Sequence, residues 1–218
     1  MHSRPRKGRS CDGDGTGDII CTETREFWLD GSIDGQSFVT SEPCGNLRLS
    51  QVEVGQFNDP QNFGGRYLFY FESEQNVVDS LSVSKGVIKV TFGILVSPAV
   101  IDTAIYGTDT VLTVSPNNIC DVMLLGTHYN YLNQAQTNNA NGFLFEYTDT
   151  NGKNWTATQQ QTDISLLVTS IDGIVSLSPS SGAFFPYCTS KFSYNTLLTE
   201  QQGTDTLRIE GTGRLGFR

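Results

Sequence analysis

The sequence predicts an all-β domain, an antiparallel two-sheet β-sandwich (jelly-roll-like or immunoglobulin-like) with little helix. Three observations carry that expectation. Apolar residues recur in short bursts bounded by turn signals along almost the whole chain, a pattern that suits two packed antiparallel sheets or a barrel. Composition agrees: 17% of residues are charged and 22 are glycine, with Ser, Thr, Asn and Gln plentiful. No segment sustains a 3.6-residue apolar period over three turns, and only Asn130–Ala140 would suit a short helix. No repeat of fixed period is visible, which disfavours propellers and solenoids. At 218 residues the chain fits one large domain. A chain of that size buries roughly 70% of its unfolded surface.

Residues 1–23 read as a leader, basic and then Gly/Asp-rich, and residues 24–218 as the folded domain. In the domain, Phe27–Ile33 leads into Asp34-Gly35 and on to Gln36–Thr40, a strong short-range hairpin signal. Leu47, Leu49, Val52 and Val54 nearly alternate, with a break at Ser50-Gln51 where a bulge fits. Gln56–Gly65 is a loop by composition, and the dense aromatic run Tyr67–Phe71 (YLFYF) is expected in a strand buried on both faces or in a sheet centre. Leu81 and Val83 lead through Lys85-Gly86 into Val87–Leu95, a further hairpin. Strands are expected at Ile101–Ile105, Thr110–Val114 and Cys120–Leu125, then a polar loop at Leu132–Asn141. Phe143–Tyr147 and Asn154–Thr158 flank an Asn-Gly turn. Ile164–Ile171, Val175–Leu177, Phe192–Leu198, Thr206–Ile209 and Arg214–Phe217 complete the series.

Charge excludes one class of partner. The formal net charge is −9, and four of the 14 basic residues (Arg4, Arg6, Lys7, Arg9) lie in the first ten positions. The acidic body lacks the clustered cations that phosphate backbones need, so nucleic acid is not expected. No run of 18 or more apolar residues suggests a transmembrane helix. Met1–Ser10 lacks the apolar stretch of a secretory signal.

The cysteines nevertheless point outside the cytoplasm. Cys11, Cys21, Cys44, Cys120 and Cys188 form no C-x-x-C, so disulfides in an oxidising compartment are the simpler reading. Sequence proximity favours Cys21–Cys44, which leaves Cys120–Cys188 and an odd Cys11. Four cysteines allow three pairings, and some could instead be buried thiols. Asp12–Glu23 (DGDGTGDIICTE) has the spacing of a calcium loop, with Asp12, Asp14, Thr16 and Glu23 as oxygen ligands. Asp18 stands where such a loop ligates through its backbone. No incoming amphipathic helix precedes it, so an acidic tether is the simpler expectation and Ca²⁺ the alternative; no cofactor is required.

Trp28 and Trp155, with Tyr129 and Tyr131, are the candidate ligand-binding residues, since aromatic faces stack on sugars; core packing is the simpler expectation for most of the aromatic residues. Glu72 and Glu74 share a strand face, but a solvated charged pair is the usual reading. No G-x-S-x-G, P-loop or dinucleotide-binding motif is present, so no enzyme activity is expected, an unrecognised hydrolase being the lesser alternative. Asn154-Trp155-Thr156 is a glycosylation sequon.

Three segments resemble small β-sandwich domains of Bacteroidota-type envelope lipoproteins. They are Phe27–Phe38 (FWLDGSIDGQSF), Tyr147–Ser170 with its Y-x-D-x-x-G-K-x-W, and Thr206–Arg218 (TLRIEGTGRLGFR). That resemblance implies a lipidated cysteine followed by a Gly/Asp tether, and Cys11 with CDGDGTGD matches it. Gly8-Arg9-Ser10 departs from the small or apolar residues that a lipidation signal places there. The resemblance implies a fold and a location, secreted or anchored at the outer surface, and no reaction. The expected role is structural, adhesive or accessory. The partner would be a protein or glycan at a cell surface, or further copies joined through edge strands, with a carbohydrate-binding module as the alternative.

Overall fold

A computed structural model describes residues 28–40, 48–56, 65–106, 108–123, 128–132, 141–157, 165–177 and 184–217. The leader, with the calcium-loop candidates Asp12, Asp14, Thr16, Asp18 and Glu23 and with Cys11, Cys21 and Cys44, lies outside them. The strands are β1 (Trp28–Ile33), β2 (Gln36–Thr40), β3 (Arg48–Gln56), β4 (Tyr67–Val78), β5 (Ser84–Val96), β6 (Ile101–Tyr106) and β7 (Asp109–Val114). After helix α1 (Pro116–Val122) come β8 (His128–Tyr131), β9 (Gly142–Thr148), β10 (Asn154–Ala157), β11 (Ser165–Leu177), β12 (Phe184–Glu200) and β13 (Thr206–Phe217).

These strands do not form two sheets. Antiparallel pairing runs β1–β2–β4–β5–β9–β10–β12–β13, and β13 returns to β1, closing an eight-stranded barrel. β3 continues the rung of β2 along β4, and β11 continues that of β10 along β12. The order is therefore an up-and-down meander with β8 as one extra strand, wedged between β9 and β11. The expected sandwich is overturned by the β1–β13 seam, which runs from Trp28↔Arg214 to Ile33↔Ile209. Sandwich and barrel strands share the same inward-apolar, outward-polar alternation, so the pattern alone could not separate them.

That alternation fills the barrel. Along β4, Phe69, Phe71 and Val77 point in, while Glu72, Glu74 and Asn76 point out. Eight strands enclose a space just wide enough for side chains. Here Phe92 meets Tyr129, Phe192 and Phe217 edge-on, Phe71 meets Phe217, and Phe145 stacks on Tyr194. Each buried phenyl ring contributes roughly 1.5–3 kcal/mol. The outer wall is polar: Lys89 sits 2.7 Å from Glu72 and 3.7 Å from Glu146 across three strands. Hydrogen bonding to Glu72 raises the Lys89 pKa against the opposing effect of burial. A lipid-facing barrel would need an apolar band at this height. Among the described residues no helix is long and apolar enough to cross a membrane. One outer patch is apolar: Leu68, Leu95 and Tyr70 pack together, and Leu132 covers Gly93 beside them, so the YLFYF strand is buried on both faces.

The two ends differ. One carries tight turns, including Asp34-Gly35, both at positive φ. At Asp79 and Asp149 the carboxylate accepts hydrogen bonds from the backbone N–H groups two and four residues on, the same device twice. The expected turn at Lys85-Gly86 is thus corrected: the reversal occurs at Asp79–Val83, and Gly86 lies within β5, where a side chain would collide with the Thr148 carbonyl.

The opposite end carries the long connections. There α1 takes in Cys120 to Val122 of the strand expected at Cys120–Leu125, whose residues 124–125 lie outside the described set. Ser115 caps it by accepting from the Asn118 N–H, Pro116 opens it, and Ile119 is buried in the core. The expected Cys120–Cys188 disulfide is present and ties α1 to β12. Asn130 and Tyr131, where a short helix seemed suited, belong to β8; residues 133–140 lie outside the described set.

Candidate functional site

A filled lumen leaves the outer wall and the loop end for binding. A shallow hollow of about 570 Å³, wide open to solvent, lies on the wall made by β2, β1, β13 and β12. Two glycines lie in its floor. Gly31 and Gly211 face each other across the seam, and neither admits a Cβ, because each would strike the opposing strand's backbone. Added methyl groups would also lie 2.6 Å from the Tyr194 hydroxyl in both cases. Tyr194 comes from the barrel interior and donates to the Asp30 carbonyl at 3.0 Å. Burial raises its pKa well above the ordinary phenol value, with the charges of Asp30 and Glu210 adding to the effect. It therefore stays a neutral donor beneath the two glycines.

Outward residues around the two glycines are small and polar. Ser32, Ser37, Ser193 and Thr212 line the hollow with Glu210 and Asn195. Their registers place Ser37, Ser32, Glu210 and Asn195 in one row and Asp30, Thr212 and Ser193 in the next. The four hydroxyls make no side-chain hydrogen bond among the described residues, whereas Asn195 Oδ1 accepts from Arg208 Nη1 at 2.6 Å. The row beyond holds Trp28, Arg214 and Lys191. Trp28 and Arg214 are half-buried and Lys191 is exposed; Arg214 Nε is enclosed with no hydrogen-bond partner. One wall thus combines free hydroxyls, a carboxylate, an amide, an indole and two cations.

The aromatic candidates do not converge. Trp28 lies on this wall. Trp155 points inward near the turn end at 8% exposure, with Lys153 Nζ 5.7 Å from its ring centroid, and Tyr129 is 3% exposed against Phe92. Those two are core, which removes them from a sugar platform. Tyr131 lies in β8, remote from the seam in strand order. The smaller hollow, at Asn151–Asn154 and Glu200–Gln202, holds the 3.2 Å Lys153–Glu200 ion pair, which raises the lysine pKa. Among the described residues no group of three His, Cys, Asp or Glu could hold a metal ion.

Sequence reasoning reached Trp28 but missed Ser32, Ser37, Ser193, Asn195, Glu210 and Thr212. Alternation marks each as outward, yet only the seam makes neighbours of residues so distant in sequence. The fold and this wall define a solid-cored, up-and-down β-barrel with a polar outer groove. No family model, curated protein or solved structure matches the chain.

Proposed function

We propose that the chain is a non-catalytic, extracytoplasmic binding protein with an adhesive or accessory role, and that its ligand is a glycan held on the β12–β13–β1–β2 wall. The observation carrying this reading is the set of unbonded hydroxyls of Ser32, Ser37, Ser193 and Thr212 around the Glu210 carboxylate. Sugars present vicinal donors and acceptors, and such groups answer both, while an indole one row away offers an apolar face. The Cys120–Cys188 disulfide supports an oxidising compartment. A solid core supports a role for the protein as a rigid carrier of its surface.

Glycan-array and titration-calorimetry measurements test the proposal. Binding by the unchanged chain, abolished in Thr212→Arg and Ser193→Arg but retained in Lys153→Ala at the turn end, is the expected result. Binding that survives both arginine substitutions moves the site elsewhere. No binding to any glycan, together with capture by a purified surface protein, replaces the glycan with a protein ligand.

A further inference from the structure

The β6–β7 arm leaves the barrel between β5 and α1 and pairs only with itself among the described residues. Its base is anchored: Ile101 and Leu112 pack against the core, Val114 is buried, and Asn118 Nδ2 donates to the Val100 carbonyl at 3.0 Å. Its far end is bare, with Ile105 78% exposed. From Ile101 to Val114 the only charges are Asp102 and Asp109. The arm thus carries no lysine, proline or bulge of the kind that blunts free edges.

Backbone geometry says which edge groups are free. Tyr106 and Asp109 close a two-residue hairpin loop and form its hydrogen-bonded pair. Alternation then turns the N–H and C=O groups of Ile101, Thr103 and Ile105 away from β7; the Ile101 N–H is held by the Pro98 carbonyl, which leaves the Ile101 C=O and both groups of Thr103 and Ile105 facing outward. An open row of donors and acceptors accepts an extended strand, and the side chains select which one. We propose that β6 pairs antiparallel with β6 of a second copy of this chain, in a two-fold register centred on Thr103.

In that register Thr103 meets Thr103, and Ile105 of each copy meets Ile101 of the other. Both pairs lie on one face, and Asp102 faces Ala104 rather than another acid. Each exposed tip isoleucine is thereby laid beside an isoleucine already packed on a barrel core, extending that core across the joint. Threonine pairs and β-branched pairs are favourable cross-strand neighbours. The contact is isologous, so it closes at two copies and does not propagate. One short strand per partner places it among small, reversible interfaces.

Sedimentation velocity on the full, oxidised chain, up to on the order of 100 µM, tests the inference. The unchanged chain should show a concentration-dependent monomer–dimer equilibrium. Ile105→Lys, at a site exposed in the monomer, and Thr103→Pro, which removes an outward N–H that the arm itself does not use, should both be monomeric. Thr103→Cys should cross-link on oxidation to twice the mass, because hydrogen-bonded antiparallel partners stand about 5.5 Å apart at Cα, within disulfide reach. Thr110→Cys on β7 should not. A monomer at every concentration overturns the inference. So does a dimer undiminished in both variants, or equal cross-linking through Thr110→Cys.

Discussion

Gly211→Ala should destabilise the barrel far more than one methyl group ordinarily would. The new Cβ would overlap the Asp30 carbonyl oxygen and lie 2.6 Å from both Gly31 Cα and Tyr194 Oη. Two of those three obstacles are backbone, which cannot rotate aside, so β13 and β1 must separate. Overpacking of a tight site costs about 1–3 kcal/mol. Separation also loses the hydrogen bond from Tyr194 to Asp30, worth about 1 kcal/mol. The expected loss is about 2–4 kcal/mol, against a typical domain stability of about 5–15. In urea unfolding with a slope near 3 kcal/mol/M, the midpoint falls by about 1 M. Gly173→Ala is the matched control, since a Cβ there meets nothing within 4 Å. It should stay within about 0.5 kcal/mol of the unchanged chain. A Gly211→Ala midpoint equal to the control's would refute the close approach of the two strands.

Replacing Cys120 and Cys188 by alanine should cost about 4 kcal/mol by loop entropy for a sequence separation of 68, read as a lower melting midpoint that reductant no longer shifts. Phe92→Ala removes a ring that touches Tyr129, Phe192 and Phe217 and should cost about 3–5 kcal/mol in the same unfolding assay. The Asp79 carboxylate has a lowered pKa, chiefly through the backbone hydrogen bond from Val83, helped by Leu81 and Lys85 and opposed by desolvation. A lowered carboxylate pKa gives stability that is present above the unfolded value and is lost as pH falls through the folded one. Asp79→Asn should therefore narrow the difference between neutral and acid melting midpoints; an unchanged pH dependence would remove the carboxylate from that role.

Local chemistry was legible wherever it is local. Asp34-Gly35 and Asn151-Gly152 announced their turns, with Gly35 and Gly152 at positive φ, and the break after Ser50 appears as the register shift between Gln51 and Glu53. The Ser115-Pro116 helix start went unread, because a seven-residue helix is too short to display its period, so Cys120–Leu125 read as a strand. Gly86 misled because a glycine inside a strand and a glycine in a turn look alike in one dimension. Trp28 and Trp155 both sit in strands, and only the phase of alternation separates an outer indole from a buried one. The groove stayed hidden because it draws on four strands that adjoin only after β13 finds β1.

That seam also bears on how the chain can be shortened. Trp28 and Arg214 are partners, so the first barrel strand waits for the last before its outer edge is satisfied. Without that pairing the same strands make an open, curled sheet with free edges and an exposed aromatic interior. Pairings this remote in sequence form slowly, and such sheets are prone to join one another meanwhile. Shortening the chain within β13 should thus yield an insoluble product rather than a slightly weaker barrel, making the final strand the step that commits the molecule to its shape.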